Sequence, residues 1–409
     1  MSGLEELIQK LCPNGVEFVP LWSVTAWDKR FSGVNRSMQS KIVPHKYYLS
    51  AEFDKVERSF GDVLYLPTGV TQQKRYTTTE LAGEYLSEGE IVCIPWGGTP
   101  NVKYYKGKYV TGDNRIATSL DTNKLSNKYL YYVLQNSIDL ISSFYRGAGI
   151  QHPNMAAVLS ILIPLPPLPV QQEIVRILDN FTELTAELNK KLEEELNARR
   201  KQYEHYRDEL LTFGDDVPRI PLGEVGPVCM CKRILKSQTN DVGGVPFYKI
   251  GTFGKQANAY ISKETYEEYR NKYNFPKKGD ILISAAGTIG RTVVYDGEPA
   301  YFQDSNIVWV ANDETKILNR FLIHCYAMKP WYVSTGGTIA RLYNDNILKA
   351  VVPVPSLERQ KFIVDTLDRF DALCNDLTSG LPAEITARQK QYEYYRDKLL
   401  TFKELEGRK

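Results

Sequence analysis

The sequence predicts an α+β protein written twice: two pseudo-symmetric globular domains separated by two long antiparallel helices that form an intramolecular coiled coil. Three observations predict it. Residues 164–213 and 353–402 align without a gap at a constant offset of 189 residues, with roughly half the positions identical. Apolar residues recur through both copies at spacings of three and four, the mark of a helical seam. The segments before each copy carry the same landmarks in the same order. Four segments follow: a first domain over 1–163, a central helix over 164–213, a second domain over 214–352 and a C-terminal helix over 353–409.

The first domain opens on Val19-Pro20-Leu21. A turn and buried strand follow at Gly89-Glu90-Ile91-Val92, then Gly97-Gly98, a short helix at 127–136 and a glycine turn at Gly147-Ala148-Gly149-Ile150. The second domain repeats this as Ile220-Pro221-Leu222, Gly279-Asp280-Ile281-Leu282, Gly287-Thr288-Ile289-Gly290, a helix at 319–328 and a turn at Gly336-Gly337-Thr338-Ile339. Segments rich in Tyr, Val and Ile between them read as strands. The glycine pairs sit in neither a Walker nor a dinucleotide context, so they read as turns and not as phosphate cradles.

Each repeat begins at prolines, Pro164, Pro166, Pro167 and Pro169, then Pro353 and Pro355, which belong at a helix start and not in its interior. The first seam runs Ile174, Leu178, Phe181, Leu188, Leu192, Leu196, Tyr203, Tyr206, Leu210, Phe213. The second runs Ile363, Leu367, Phe370, Leu377, Leu381, Ile385, Tyr392, Tyr395, Leu399, Phe402. A stripe of this kind packs on its own domain as easily as on another helix. Two matching stripes in one chain are most simply buried against each other, and a two-fold between equivalent halves makes the helices antiparallel. Ser379-Gly380-Leu381-Pro382 is expected to kink or restart the second helix. Both LLTF segments lead toward a Pro-Leu opening, one directly and one across the chain ends. The sequence thus behaves as a circle cut once, with its termini close together.

Bulk composition sets limits. At 409 residues the chain exceeds one ordinary core. Hydrophobic residues at 43% and charged residues at 24% are those of a globular protein. No apolar run has the length of about 18 residues needed for a membrane span. The opening MSGLEELIQKLCPNG lacks an apolar signal core, and the six cysteines are scattered, so a reduced, cytoplasmic setting is expected. Cys229-x-Cys231 has no second pair at zinc spacing, and no metal is expected. The net charge is +2. Both globular segments carry a small basic surplus and the central helix an acidic one, a weak pointer to an acidic partner. The four histidines are isolated and no catalytic constellation stands out.

The proline lead-in IPLPPLPVQQEIVRILD, the closing YEHYRDELLTF and the Leu184-Thr185-Ala186-Glu187-Leu188 segment carry a resemblance. The chain resembles the specificity subunit of type I restriction-modification systems, and the TAEL segment resembles the spacer repeat of its IC-like members. Here a degenerate Thr182-Glu183-Leu184 precedes that segment, and the second repeat has Leu373-Cys374-Asn375-Asp376-Leu377 instead. The resemblance covers essentially the whole chain, closely in the helices and only architecturally in the domains. It implies that the two globular parts are target recognition domains, each reading one half of a bipartite, asymmetric site in double-stranded DNA. It also implies that the conserved helices set the spacer and dock two methyltransferase subunits. On this view the chain is DNA-binding but not an enzyme and holds no cofactor. S-adenosylmethionine, ATP and Mg would serve partner subunits, including a restriction translocase.

Base reading needs Arg, Lys, Asn or Gln at groove edges with phosphate contacts around them. In the first domain the candidates are Gln72, Gln73, Lys74, Arg75, Trp96, Asn101, Lys103, Tyr104 and Arg115. In the second they are Lys249, Arg291, Gln303, Ser305, Asn306 and Arg341. Each is equally readable as part of a solvated loop. The QYExYRD motif places Tyr203, Tyr206 and Arg207 beside Tyr392, Tyr395 and Arg396 as candidates for partner docking or for coil packing. The rival readings are a coiled-coil scaffold with paired protein-binding domains, and a free-standing enzyme using the glycine turns.

Overall fold

Buried strands of Ile, Val and Tyr organise both halves of the chain in a computed structural model that describes residues 2–70, 73–333, 341–375 and 381–405. The first unit comprises residues 1–190 with 386–409. Its strands are β1 (Thr25–Trp27), β2 (Val63–Leu66), β3 (Tyr76–Thr77), β4 (Ser87–Pro95), β5 (Lys103–Thr111) and β6 (Asn114–Ser119). They form one sheet in the order β1-β6-β4-β5-β2-β3, antiparallel except where β2 runs parallel to β5. The middle of β4 is apolar at every position because both faces are covered. Val92 and Ile94 join the main core, while Ile91 and Cys93 pack with Leu66, Tyr109 and Ile116 on the other side.

Helix α1 (Asn127–Asn136) starts at Ser126, whose side chain accepts from the Tyr129 amide. Its Tyr129, Leu130, Val133 and Leu134 lie in the main core. Helix α2 (Leu168–Leu210) is a single run of 43 residues with Pro169 in its first turn, where a missing N–H costs nothing.

In the second unit, residues 191–385, the domain sheets are built from β7 (Val228–Cys229), β8 (Val245–Tyr248), β9 (Tyr260–Ile261), β10 (Ile281–Ser284), β11 (Thr292–Val294), β12 (Tyr301–Phe302) and β13 (Ile307–Val310). They make two sheets, β7-β13-β10-β11 and β9-β8-β12. Joined end to end these repeat the strand order of the first unit. The long β5 is replaced by two short strands because Asp296-Gly297-Glu298-Pro299 interrupts it, with Gly297 at φ +91° and a proline that cannot donate to a ladder. The parallel pairing survives, with Tyr65 opposite Val110 in one unit and Phe247 opposite Tyr301 in the other. The Pro-Leu openings do equivalent work: Phe18–Pro20 pairs with Leu162–Pro164, and Arg219–Pro221 with Val351–Pro353.

Helices α3 (Asn319–Ala327), α4 (Leu357–Asn375) and α5 (Leu381–Leu400) complete the chain. Within the described residues the second repeat is helical over Leu357–Asn375 and Leu381–Leu400. Ser379 and Gly380 of the expected break lie outside the described residues, as does the turn at 336–339.

Each unit pairs the helices antiparallel. In the first, Leu178 of α2 shares a core with Leu399 and Leu400 of α5, and the Phe181 ring meets that of Tyr395 at 5.8 Å. In the second, Tyr206 of α2 stacks on Phe370 of α4 at 5.4 Å, and Leu211 shares a core with Ile363 and Leu367. One clamp recurs. The amide Nε2 of Gln171 donates to Lys124 O and Pro166 O while its Oε1 accepts from the Ser126 amide. Gln360 repeats all three bonds with Lys316 O, Pro355 O and the Leu318 amide. Both glutamines are fully buried, so each helix start is fixed to its own domain.

Candidate nucleic-acid interface

In the second domain β12 hands over to β13 through Gln303-Asp304-Ser305-Asn306. The Asn306 amide donates to Asp304 O at 2.7 Å, and Ser305 sits at φ +61°, a left-handed conformation unusual outside glycine. The turn is held from several sides. Arg341 Nη2 donates to Ser305 O at 2.7 Å, Arg233 Nε to Asp304 Oδ2 at 2.9 Å, and the Ile250 amide to Gln303 Oε1 at 2.9 Å.

This turn lines an open cleft of about 440 Å³ together with Lys236 and Lys249. Four cations face one carboxylate there. Five of the six residues that sequence reasoning selects in this domain, Lys249, Gln303, Ser305, Asn306 and Arg341, are brought together in it. Arg291 is not among its lining residues and donates to Phe253 O at 2.9 Å. Arg233 and Lys236 were missed. They lie about 70 residues before the turn, and only the pairing of β7 with β13 brings the segment after Cys229 near Asp304.

The first domain gathers a smaller group around the turn after β2. Lys103 Nζ donates to Pro67 O at 2.6 Å and Thr68 O at 2.9 Å, and Asn101 Nδ2 to Thr68 O at 3.0 Å. Burial pulls the Lys103 ammonium below its ordinary pKa. Trp96 is half-buried nearby, with Lys29 Nζ 5.1 Å from its ring centroid. Gln73 and Lys74 are exposed on the loop leading to β3, and Gln72 lies outside the described residues.

Three first-domain candidates have structural work. Arg115 is 1% exposed and ion-paired to Asp28 Oδ2 at 2.8 Å and to Asp113. A guanidinium so enclosed has no edge to offer a base, and this corrects its place among the readers. Arg75 pairs with Glu57 and Asp54 and lies over the Phe53 and Tyr65 rings. Tyr104 follows Lys103 on a strand and so faces the opposite side, where its hydroxyl donates to Glu90 at 2.7 Å.

The tyrosines of QYExYRD pack inside each unit, Tyr392, Tyr395 and Tyr206 against the facing long helix and Tyr203 against α3. Tyr392 Oη lies 3.1 Å from Thr182 Oγ1, and Tyr395 meets Phe181. Tyr203 Oη lies 3.2 Å from His324 Nδ1, and Tyr206 stacks on Phe370. Arg396 Nε donates to Asn136 Oδ1, and Arg207 Nε to Asp208.

Among the described residues no group of His, Cys, Asp and Glu is arranged to hold a metal ion, and no helix is long and apolar enough to cross a membrane. The site consists of polar and cationic side chains on loops, which is chemistry suited to recognition.

Comparison with known proteins agrees. The type I restriction modification DNA specificity domain matches twice, over residues 47–198 and 215–387. The EcoR124I/EcoR124II specificity subunit of Escherichia coli is 30% identical over 427 residues, covering 98% of this chain and 97% of its own. A type I restriction enzyme specificity subunit of Haemophilus influenzae is 50% identical over 326 residues, 78% of this chain and 84% of its own. A solved structure concerning complex assembly and conformational transition of the type I restriction-modification system matches in fold. Its TM-score is 0.61 at 16% identity, over 95% of this chain and 98% of that one. The double match makes this a DNA specificity subunit with two recognition domains. The chain belongs to the family of type I restriction-modification specificity subunits.

Proposed function

We propose that each globular domain reads one half of a split, asymmetric DNA site, and that the helices fix the length of the unread spacer. Two methyltransferase subunits dock on the helices and adjoining domain surfaces and supply S-adenosylmethionine chemistry. Restriction subunits supply ATP- and Mg-dependent translocation and cleavage, in the cytoplasm where the DNA lies.

One observation carries the reading. The same strand order and the same glutamine clamp occur in both units, yet the loops carry different side chains: Asn101 and Lys103 gather around Thr68 in the first, while Lys249, Gln303 and Arg341 line a cleft in the second. A shared frame whose loop side chains are differently engaged suits one chain that reads two different sequences. The helix that enters both units is continuous over 43 residues, which at 1.5 Å per residue is about 65 Å, enough to set a distance of more than one turn of DNA.

The test is binding by this chain assembled with its methyltransferase subunits. Tight, salt-sensitive binding to one bipartite duplex over a scrambled duplex supports the proposal. Binding indifferent to sequence contradicts it and favours a protein-binding scaffold.

A further inference from the structure

We propose that Asn306 is the residue through which the second domain reads a base, and that the base is adenine. The inference rests on the half-site reading above and adds the residue and the base.

Asn306 has its main chain fully committed. Its amide closes the turn on Asp304 O at 2.7 Å, and its carbonyl accepts from the Ala285 amide at 2.8 Å. Its side-chain amide, half-buried on the cleft wall, is engaged by no described residue. Its neighbours on the turn are spent otherwise. Gln303 offers its oxygen to Ile250, Asp304 is paired with Arg233, and the Ser305 hydroxyl turns to Asp304 and Met230. The cleft therefore presents a fixed backbone position bearing a carboxamide that no described residue engages, with Lys236 and Lys249 exposed beside it. A carboxamide offers one donor and one acceptor in a plane, the complement of adenine N7 and N6–H₂ in the major groove, while ammonium groups at the rim meet phosphates.

The first domain supplies the contrast. Cys93 lies opposite Ile116 and Ile283 opposite Val308, a register that places Asn114 where Asn306 stands. Asn114 also follows a two-residue turn, its amide donating to Gly112 O at 2.6 Å. Its side chain, however, is buried and donates to Leu66 O and to Thr111 Oγ1. The same turn is thus closed in one domain and open in the other. Arg341 is a positioning residue, holding Ser305 in its left-handed conformation through the carbonyl next to Asn306.

The experiment maps methylated motifs made by the chain assembled with its methyltransferase subunits, comparing wild type, Asn306→Ala and Asn306→Asp. Asn306→Ala is expected to relax one adenine-containing position of one half-site by about 5- to 150-fold, leaving the other half-site unchanged. Asn306→Asp is expected to shift that position toward cytosine, whose N4 amine an aspartate accepts. Thermal melts of both variants should match wild type, because no described residue engages the side chain. An unchanged motif, an equal loss at every position, or an unfolded Asn306→Ala would each overturn the proposal. A wild-type motif that is not split would instead overturn the half-site reading, and relaxation at one adenine would then still support Asn306.

Discussion

Asp179 and Asp368 stand at the same place in the two repeats, and each is bound by the domain helix packed against it. Tyr132 donates to Asp179 at 2.5 Å, with Lys128 Nζ 3.2 Å away. Around Asp368 those places are taken by His324 and Arg320. Burial holds the His324 imidazole below its ordinary pKa, against the pull of Asp368 and Asp371. The unfolded chain then binds this proton near pH 6.5 and the folded chain only at lower pH, so stability is lost as pH falls below about 6.5. Replacing His324 with tyrosine, as in the first unit, should flatten that dependence by up to about 1.4 kcal/mol per pH unit. Urea melts at pH 7.5 and 5.5 read it, and an unchanged slope rejects it. Arg115→Ala should cost about 3–5 kcal/mol, because it strands the buried Asp28 carboxylate. That loss is measured by urea denaturation, with no change in the methylated motif. Arg115 was open to misreading because the sequence shows a cation after a turn but not Asp28, far upstream, that encloses it. That Lys249, Gln303 and Asn306 gather in one cleft was legible because polar residues near buried, glycine-flanked strands have few places to go except the loop end of the sheet.

At the level of elements, the helices were legible to within a few residues: the central one, expected over 164–213, spans Leu168–Leu210. Helix α1 spans the expected 127–136 and α3 ends one residue short of 328. Prolines mark the starts and the three-four spacing marks the buried face, and both signals are local. The sheets were less legible. Nothing in the strand-like segments shows that β5 is continuous in one domain while its counterpart is cut by Asp296-Gly297-Glu298-Pro299, since pairing is a property of distant segments. The helical ruler yields its own expectation. A second Thr-Ala-Glu-Leu inserted after Leu188 adds about 6 Å of helix, close to two base-pair rises. The methylated motif should gain spacer positions with both half-sites unchanged. Altered half-site bases would show that helix length and base reading are not separate.

Across the whole chain, the two units are assembled from equivalent pieces in a different covalent order. Val16 N donates to Lys403 O at 2.8 Å, closing the first unit across the chain ends. The same bond in the second unit, Val217 N to Gly214 O at 3.3 Å, closes over three residues of continuous chain. Gly15 shows how tightly the ends meet. At φ +103°, a Cβ there would lie 2.6 Å from Lys403 O, so no other residue fits without moving the strand. The circle read from the two LLTF segments is thus a physical one. It explains how one chain carries two equivalent recognition domains whose loops are free to diverge. The most direct test maps methylated bases in host DNA with and without this gene. The account predicts one motif of two defined halves separated by an unread spacer, lost when the gene is deleted. A continuous motif, or one unchanged by the deletion, would contradict it.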